Sequence, residues 1–509
     1  MHITSLPGPY GIGEIGRHAL QFVDTMKKMQ LGVWQFLPTG PTAFADSPYQ
    51  PLSTFAGNEL LIDVSDLILK GLLSEDEASE LSTLPCNIVD YGALIPVKNR
   101  ILRLASARFA DKSDTALTVA YQEFVHENND RWLHDYALFR ILKSQHGDRP
   151  WPVWQPEYVH RDKKALRRIE GSKASTIEAI KIIQFLFHLQ WQQLHTYARD
   201  QGVYLFGDMP IYVALDSADA WTNPELLQID GNGQPANVAG VPPDYFSDDG
   251  QLWGNPLYAW ENHAADGYQW WIDRLRVATE LVDIVRIDHF RGLEAYWAVP
   301  AGSDTARNGT WHEGPGDAIF DAMRSALGNL PIVAEDLGLI SPECEALRDR
   351  NQIPGMKVLQ FAITDDRFEL SDVAENCVCY TGTHDNDTTV GWYNGCPDDI
   401  RSATEIERIR QATLKITAGT PETIHMDLVR AAFSTDASLA IAPLQDYLGL
   451  GSEARMNTPG TSENNWRWRL DATRLTDSVC NQISKMVQAS GRALQNRSVN
   501  ECPGIDPPL

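Results

Sequence analysis

Three carboxylates, Asp288, Glu335 and Asp385, stand in settings that suit acid–base and nucleophilic chemistry on a neutral substrate. Asp288 ends the apolar run Val285-Arg-Ile-Asp-His-Phe-Arg-Gly292, with Arg286 two positions before it. Positions two apart share one face of a strand, so this spacing sets a carboxylate beside a fixed guanidinium. That neighbour should depress the pKa of Asp288 and keep it anionic, as a nucleophile must be. A purely structural Arg–Asp pair fits the same pattern. Glu335 ends the run Ile332-Val-Ala-Glu-Asp-Leu-Gly338; alternation turns only one of Glu335 and Asp336 inward, and the apolar run before them selects Glu335. A like charge nearby would raise its pKa toward that of a general acid, while Asp336 suits the N-cap of the next helix. Asp385 lies in Tyr380-Thr-Gly-Thr-His-Asp-Asn-Asp387, where it can accept from sugar hydroxyls and His384 can donate. His–Asp pairs are common in turns, so this motif says little by itself. The three acids follow one another at 47 and 50 residues. Glycosyl transfer with retention needs a nucleophile and an acid/base about 5–5.5 Å apart, and a third acid can hold and distort the ring.

Such side chains need rigid strand ends to hold them. Short apolar runs at 33–37, 203–208, 281–288, 331–335, 357–362, 377–381 and 439–444 each end in a polar or charged residue. Amphipathic segments such as 269–280, 317–328 and 341–350 separate them. Strand and helix alternating at this rhythm predict an α/β fold, a (β/α)8 TIM barrel with its site at the C-terminal strand ends. Seven strands are counted; the eighth would end near Met1-His2-Ile3, so a truncated first strand is expected. The expected organisation is one catalytic barrel over 1–509, interrupted twice. Residues 64–200 read as a helical insertion, with helical patterns at 97–112, 117–127, 130–145 and 175–200. Residues 209–270, rich in Gly, Pro, Asp and Trp, read as an irregular insertion over the active site.

Composition narrows the partners. The formal charge is −25, from 43 basic and 68 acidic residues, which disfavours nucleic acid and anionic membrane surfaces. Seven scattered cysteines show no zinc-like spacing, so no metal or other cofactor is expected and a reducing compartment fits. No signal peptide and no apolar stretch of membrane-spanning length is found, and the expected location is the cytoplasm. Fifteen tryptophans are many for 509 residues, and indole faces suit the C–H faces of pyranose rings, though most should pack the core.

Several longer motifs carry a resemblance. They are Thr4-Ser-Leu-Pro-Gly-Pro-Tyr-Gly-Ile-Gly, Ser47-Pro-Tyr-Gln-Pro, Gly207-Asp-Met-Pro-Ile-Tyr-Val, Gly240-Val-Pro-Pro-Asp-Tyr-Phe-Ser and Gly250-Gln-Leu-Trp-Gly-Asn-Pro. With the three acidic motifs and Asn464-Asn-Trp-Arg-Trp-Arg, they cover essentially the whole chain. The sequence resembles the amylomaltase, or 4-α-glucanotransferase (disproportionating enzyme), family, related to the α-amylase superfamily. The resemblance implies a transferase acting on maltooligosaccharides and other α-1,4-glucans by retaining double displacement. It makes Asp288 the nucleophile, Glu335 the acid/base and Asp385 the transition-state stabiliser. It places Arg286 and His384 at the donor sugar and Asp208 near it as a fourth acid. It also implies a lid at 240–256 whose Tyr245, Phe246 and Trp253 stack on glucose rings. Tyr49 and Tyr91 match a secondary glucan platform of some members, and Asn464 is expected among the substrate-binding residues. Ordinary α-amylases carry Asn and His four and five residues after the third-strand Asp; Tyr212 and Val213 stand there instead. The alternatives are an α-1,4-glucan hydrolase and a non-catalytic glucan-binding protein.

Overall fold

The computed structural model describes residues 1–111, 115–243, 247–396, 399 and 401–493. Its strands, in chain order, are β1 (Val33–Gln35), β2 (Tyr204–Pro210), β3 (Asn237–Val241), β4 (Gln251–Pro256), β5 (Ile284–Asp288) and β6 (Ala295–Pro300). They continue with β7 (Thr310–Glu313), β8 (Ile332–Ala334), β9 (Gly355–Val358), β10 (Cys377–Tyr380) and β11 (Leu439–Ile441). Parallel pairing runs β1-β2-β5-β8 in one sheet and β9-β10-β11 in another. The amide of Ala334 donates to Pro354 O at 2.8 Å and links the two.

These seven parallel strands fall in the seven apolar runs of the sequence. One boundary differs. The fifth strand ends at Val358, and Leu359–Ala362 is a helical turn. Gly355 opens that strand because a Cβ there would meet the Asp336 carboxylate at 2.5 Å, a close approach that apolar patterning does not register. Inside the parallel strands, Phe206, Ile284, Val333, Met356, Val378 and Tyr380 form one buried cluster. Alternation then carries the next inward positions on β2, β5 and the end of β8 to Asp208, Arg286 and Glu335.

Next to β1 the structure places the residues expected to hold a truncated strand. The Met1 amine donates to Gln35 O at 3.1 Å, and Trp34 Nε1 donates to Met1 O at 2.8 Å. Ile3–Ser5 is a 3-10 turn rather than strand. Met1, His2, Gln35 and Ile441 line one cavity of about 100 Å3.

Between β1 and β2 lie the helices Tyr91–Asp111, Thr115–Asn128, His134–Gln145 and Ala174–Asp200. Phe139, Trp151, Trp154 and Trp221 build a satellite core beneath them. Helix Tyr91–Asp111 is fastened to the first loop by a buried pair, Lys98 with Glu14. Burial pushes the Glu14 carboxyl up to about 7, against the pull of Lys98.

The stretch 209–270 is more regular than its composition predicts. β3 pairs antiparallel with β4 and with β6, which pairs with β7, giving a second sheet in the order β4-β3-β6-β7. Gly240 and Gly250 hid it from the pattern; a Cβ at either would run into a strand carbonyl, at 2.5 Å and 2.3 Å. Among the described residues no helix is long and apolar enough to cross a membrane. Among the described residues six cysteines are free thiols, including the buried Cys377 and Cys379 of β10.

Candidate active site

β5 is buried at four of its five positions, so its polar members are held rather than mobile. Arg286 faces Asp208 of β2 directly in register, and its Nη1 donates to both Asp208 oxygens at 2.8 and 2.7 Å. The same nitrogen lies 2.9 Å from Asp288 Oδ1. Asp208 is 1% exposed and Arg286 6%, whereas Asp288 keeps 28%, on the open side of the cluster.

Glu335 stands one residue past the registered pair Ile287–Ala334, and its amide donates to Ile287 O at 3.0 Å. Asp288 and Glu335 therefore end adjacent strands at the same level, on chains spaced about 4.8 Å apart. Glu335 Oε2 accepts from the His289 amide at 2.7 Å, and Oε1 from the Leu337 amide at 3.0 Å. His289 can present its N–H because its backbone is left-handed, with φ 52°. Asp336 turns the opposite way. It accepts from the Met356 amide at 2.7 Å and pairs with Arg348, while Ser341 caps the following helix, so the N-cap expected of Asp336 is corrected.

Asp385 accepts from Asn457 Nδ2 at 2.6 Å and lies 3.3 Å from His384 Nε2. Arg455 donates to the Asp385 carbonyl at 2.7 Å. Tyr49 stacks on His384 with ring centroids 5.1 Å apart and 17° between planes, and its hydroxyl donates to Asp208 at 2.7 Å. Trp466 packs against both rings, at 6.0 and 5.8 Å. Burial lowers the His384 pKa, leaving a neutral imidazole near pH 7.

Arg286 thus pairs with Asp208 and Asp288, while Glu335 and Asp385 lie close enough to act on Asp288. Arg286 was expected to hold Asp288 below the ordinary range. Instead burial, with Asp208, Glu335 and Asp385 adding to it, raises Asp288 well above that range and outweighs Arg286. Burial is the larger effect, although the guanidinium reaches Asp288 Oδ1 at 2.9 Å as well as both oxygens of Asp208. Burial also raises Glu335, against Arg286 and its two amide bonds. Both Asp288 and Glu335 are therefore harder to ionise than a free carboxyl.

Other expected residues fall as follows. Trp253 lies on β4 with its ring edge-on to His289 at 4.7 Å, and Tyr212 is 6.3 Å from it. Tyr245 and Phe246 lie outside the described residues. Tyr49 belongs to the cluster itself rather than to a secondary platform. Tyr91 is buried and donates to Trp466 O at 3.1 Å, so the exposed platform expected of it is also corrected. Asn464 is exposed in a turn at φ 63°, its Oδ1 3.4 Å from Arg467 Nη1, and touches none of the acids. The asparagine that does is Asn457. Asn457, Arg455, Trp466 and His289 were missed, because a single loop sequence gives no periodic signal for which polar residue turns inward. Among the described residues no cluster of three or more His, Cys, Asp or Glu could hold a metal. A separate cavity of about 840 Å3, lined by Glu375, Asp436 and Arg492, lies by the N-terminal ends of β10 and β11, away from the acids.

Acids clustered at the C-terminal ends of parallel strands, around one buried arginine, define a glycosidase-type enzyme of TIM-barrel type. The 4-alpha-glucanotransferase family model matches residues 1–475, and the chain belongs to that family. It is 44% identical to the 4-alpha-glucanotransferase of Synechocystis sp., over 97% of both chains. Identity is again 44% to that of Thermus thermophilus, over 97% of this chain and 98% of the relative. The solved amylomaltase from Streptococcus agalactiae, in complex with acarbose, superposes with a TM-score of 0.91 at 35% identity, covering 97% and 98% of the two chains.

Proposed function

We propose that this chain transfers α-1,4-glucan segments between maltooligosaccharides by retaining double displacement, at the C-terminal face of a (β/α)8 barrel with Met1–His2 in the eighth strand position. The observation that supports the reading is that Asp288 and Glu335 end adjacent parallel strands at the same level, both carboxyls raised by burial. Glu335 gives its proton to the glycosidic oxygen while an Asp288 oxygen attacks the anomeric carbon. The C–O bond to the leaving glucan breaks and an ester to Asp288 forms. An acceptor 4-hydroxyl then loses its proton to Glu335 as it attacks the same carbon, and the ester breaks. Two inversions give retention. Asp385, held by Asn457, accepts from the ring hydroxyls, and Tyr49 offers a flat face braced by His384 and Trp466.

Residues 64–200 serve as a helical insertion and 209–270 as the insertion over the site, with Trp253 contributing a stacking face and excluding water. Incubation with maltotriose should yield glucose together with maltopentaose and longer chains. Products no longer than the substrate would replace transfer by hydrolysis. Glu335→Gln should lower turnover on maltotriose about a thousandfold, yet lose far less on an activated glucosyl fluoride, whose departure needs no proton. Equal losses on both donors would refute the acid assignment.

A further inference from the structure

One exposed aromatic away from the carboxylates is held more firmly than a surface side chain requires. Trp311 lies on β7, whose four residues are all exposed, and keeps 40% of its surface open. The Arg291 guanidinium sits over its ring, 4.1 Å from the centroid, and is itself tied to Leu339 O. Trp297 of β6 meets Trp311 edge-on at 5.2 Å and 61°, and is anchored by its Nε1 donating to Ala306 O at 2.8 Å. Gly309 leaves room for that anchor, since a Cβ there would meet the Trp297 indole at 2.3 Å. Leu252, Gly240, Trp297 and Trp311 stand in register across β4, β3, β6 and β7, and so share one face of the sheet. Among the described residues no hydrogen bond takes up the Trp311 indole N–H.

The position of this ring matters as much as its rigidity. Arg291 is three residues beyond Asp288, and Leu339 four beyond Glu335. Arg291, which covers Trp311, and Leu339, which anchors Arg291, therefore follow directly on the strand ends bearing the reacting acids. Arg291 covers one face of the indole, and 40% of the residue stays exposed. A preset flat apolar surface with a free N–H at its edge matches a pyranose ring, with its C–H face and hydroxyl rim. Its ordering is already supplied by Arg291 and Trp297, so little rotamer entropy is lost on binding. A chain carrying −25 favours a neutral polymer there over an acidic partner.

We propose that Trp311, backed by Arg291 and Trp297, is a second glucan-binding platform, which holds glucose units of long α-1,4-glucans outside the cleft. This rests on the glucan-transfer reading above. Trp311→Ala should raise the KM for amylose about five- to tenfold with kcat unchanged. The kcat/KM for maltotriose should stay within about twofold, and Trp311→Phe should restore most of the loss on amylose. Migration through gels containing amylose tests the platform without turnover: the alanine variant should be retarded less than the parent. Equal retardation, an unchanged KM for amylose, or an equal loss on maltotriose overturns the proposal. A parent protein that gives no longer chains from maltotriose, yet is retarded more than Trp311→Ala, would count against transfer and for the platform.

Discussion

Asp288→Asn is expected to lower turnover by about four to six orders of magnitude while the protein stays folded. The amide keeps the volume and one acceptor oxygen but cannot form the ester. Maltotriose binding should survive, because Asp208, Arg286, Tyr49 and Asp385 are untouched. The thermal midpoint should hold or rise. In the parent, ionising Asp288 is disfavoured by burial and by three neighbouring carboxylates, so its folded pKa lies above the unfolded one. That sign means the group costs stability once pH exceeds the ordinary aspartate range, and a neutral side chain removes the cost. Azide should partly restore cleavage in Asp288→Gly by attacking the same carbon, giving a product of inverted configuration. Turnover near the parent level, read on maltotriose, would end the nucleophile assignment.

Arg286→Met strikes at the shared cation instead. Asp208, at 1% exposure, loses both guanidinium contacts and keeps only the Tyr49 hydroxyl. Stripping the partner from a buried charge costs about 3–5 kcal/mol, so the thermal midpoint should fall by several degrees. Turnover near pH 7 should fall about a thousandfold. Arg286 is the group that lowers Asp288, so its removal moves the acid limb of kcat/KM to higher pH. The deficit in stability should widen as pH rises, since the ionised carboxylates are the forms that lost their partner. Arg286→Lys, keeping the charge without the fork, should fall between the two. An acid limb unmoved in Arg286→Met would show that Asp288 is not governed by this guanidinium.

How far the sequence carries can be judged residue by residue. The parallel strands were legible because buried strands read as unbroken apolar runs, and Asp208, Arg286, Asp288 and Glu335 because alternation at strand ends leaves little freedom. The long helix Ala174–Asp200 was legible from its period. The second sheet was not: glycines and prolines that admit close backbone approach look like loop when pairing is unseen. The pKa of Asp288 was misread because sequence shows the neighbouring Arg286 but neither the burial nor the carboxylates of Asp208, Glu335 and Asp385 gathered around it. Asn457 and Asn464 are indistinguishable in composition and differ only in which turn faces the acids. Resemblance reached the segment with Asn464, but the contact of Asn457 with Asp385 came only with the structure.

The crowding of Asp208, Asp288, Glu335 and Asp385 also disfavours anionic donors. A glucose 1-phosphate entering this pocket would bring two further negative charges beside them, with Arg286 already paired to Asp208 and Asp288. Neutral glucans meet no such barrier. The same crowding that raises Asp288 and Glu335 thus favours exchange between uncharged chains, with no phosphorylated sugar consumed or released.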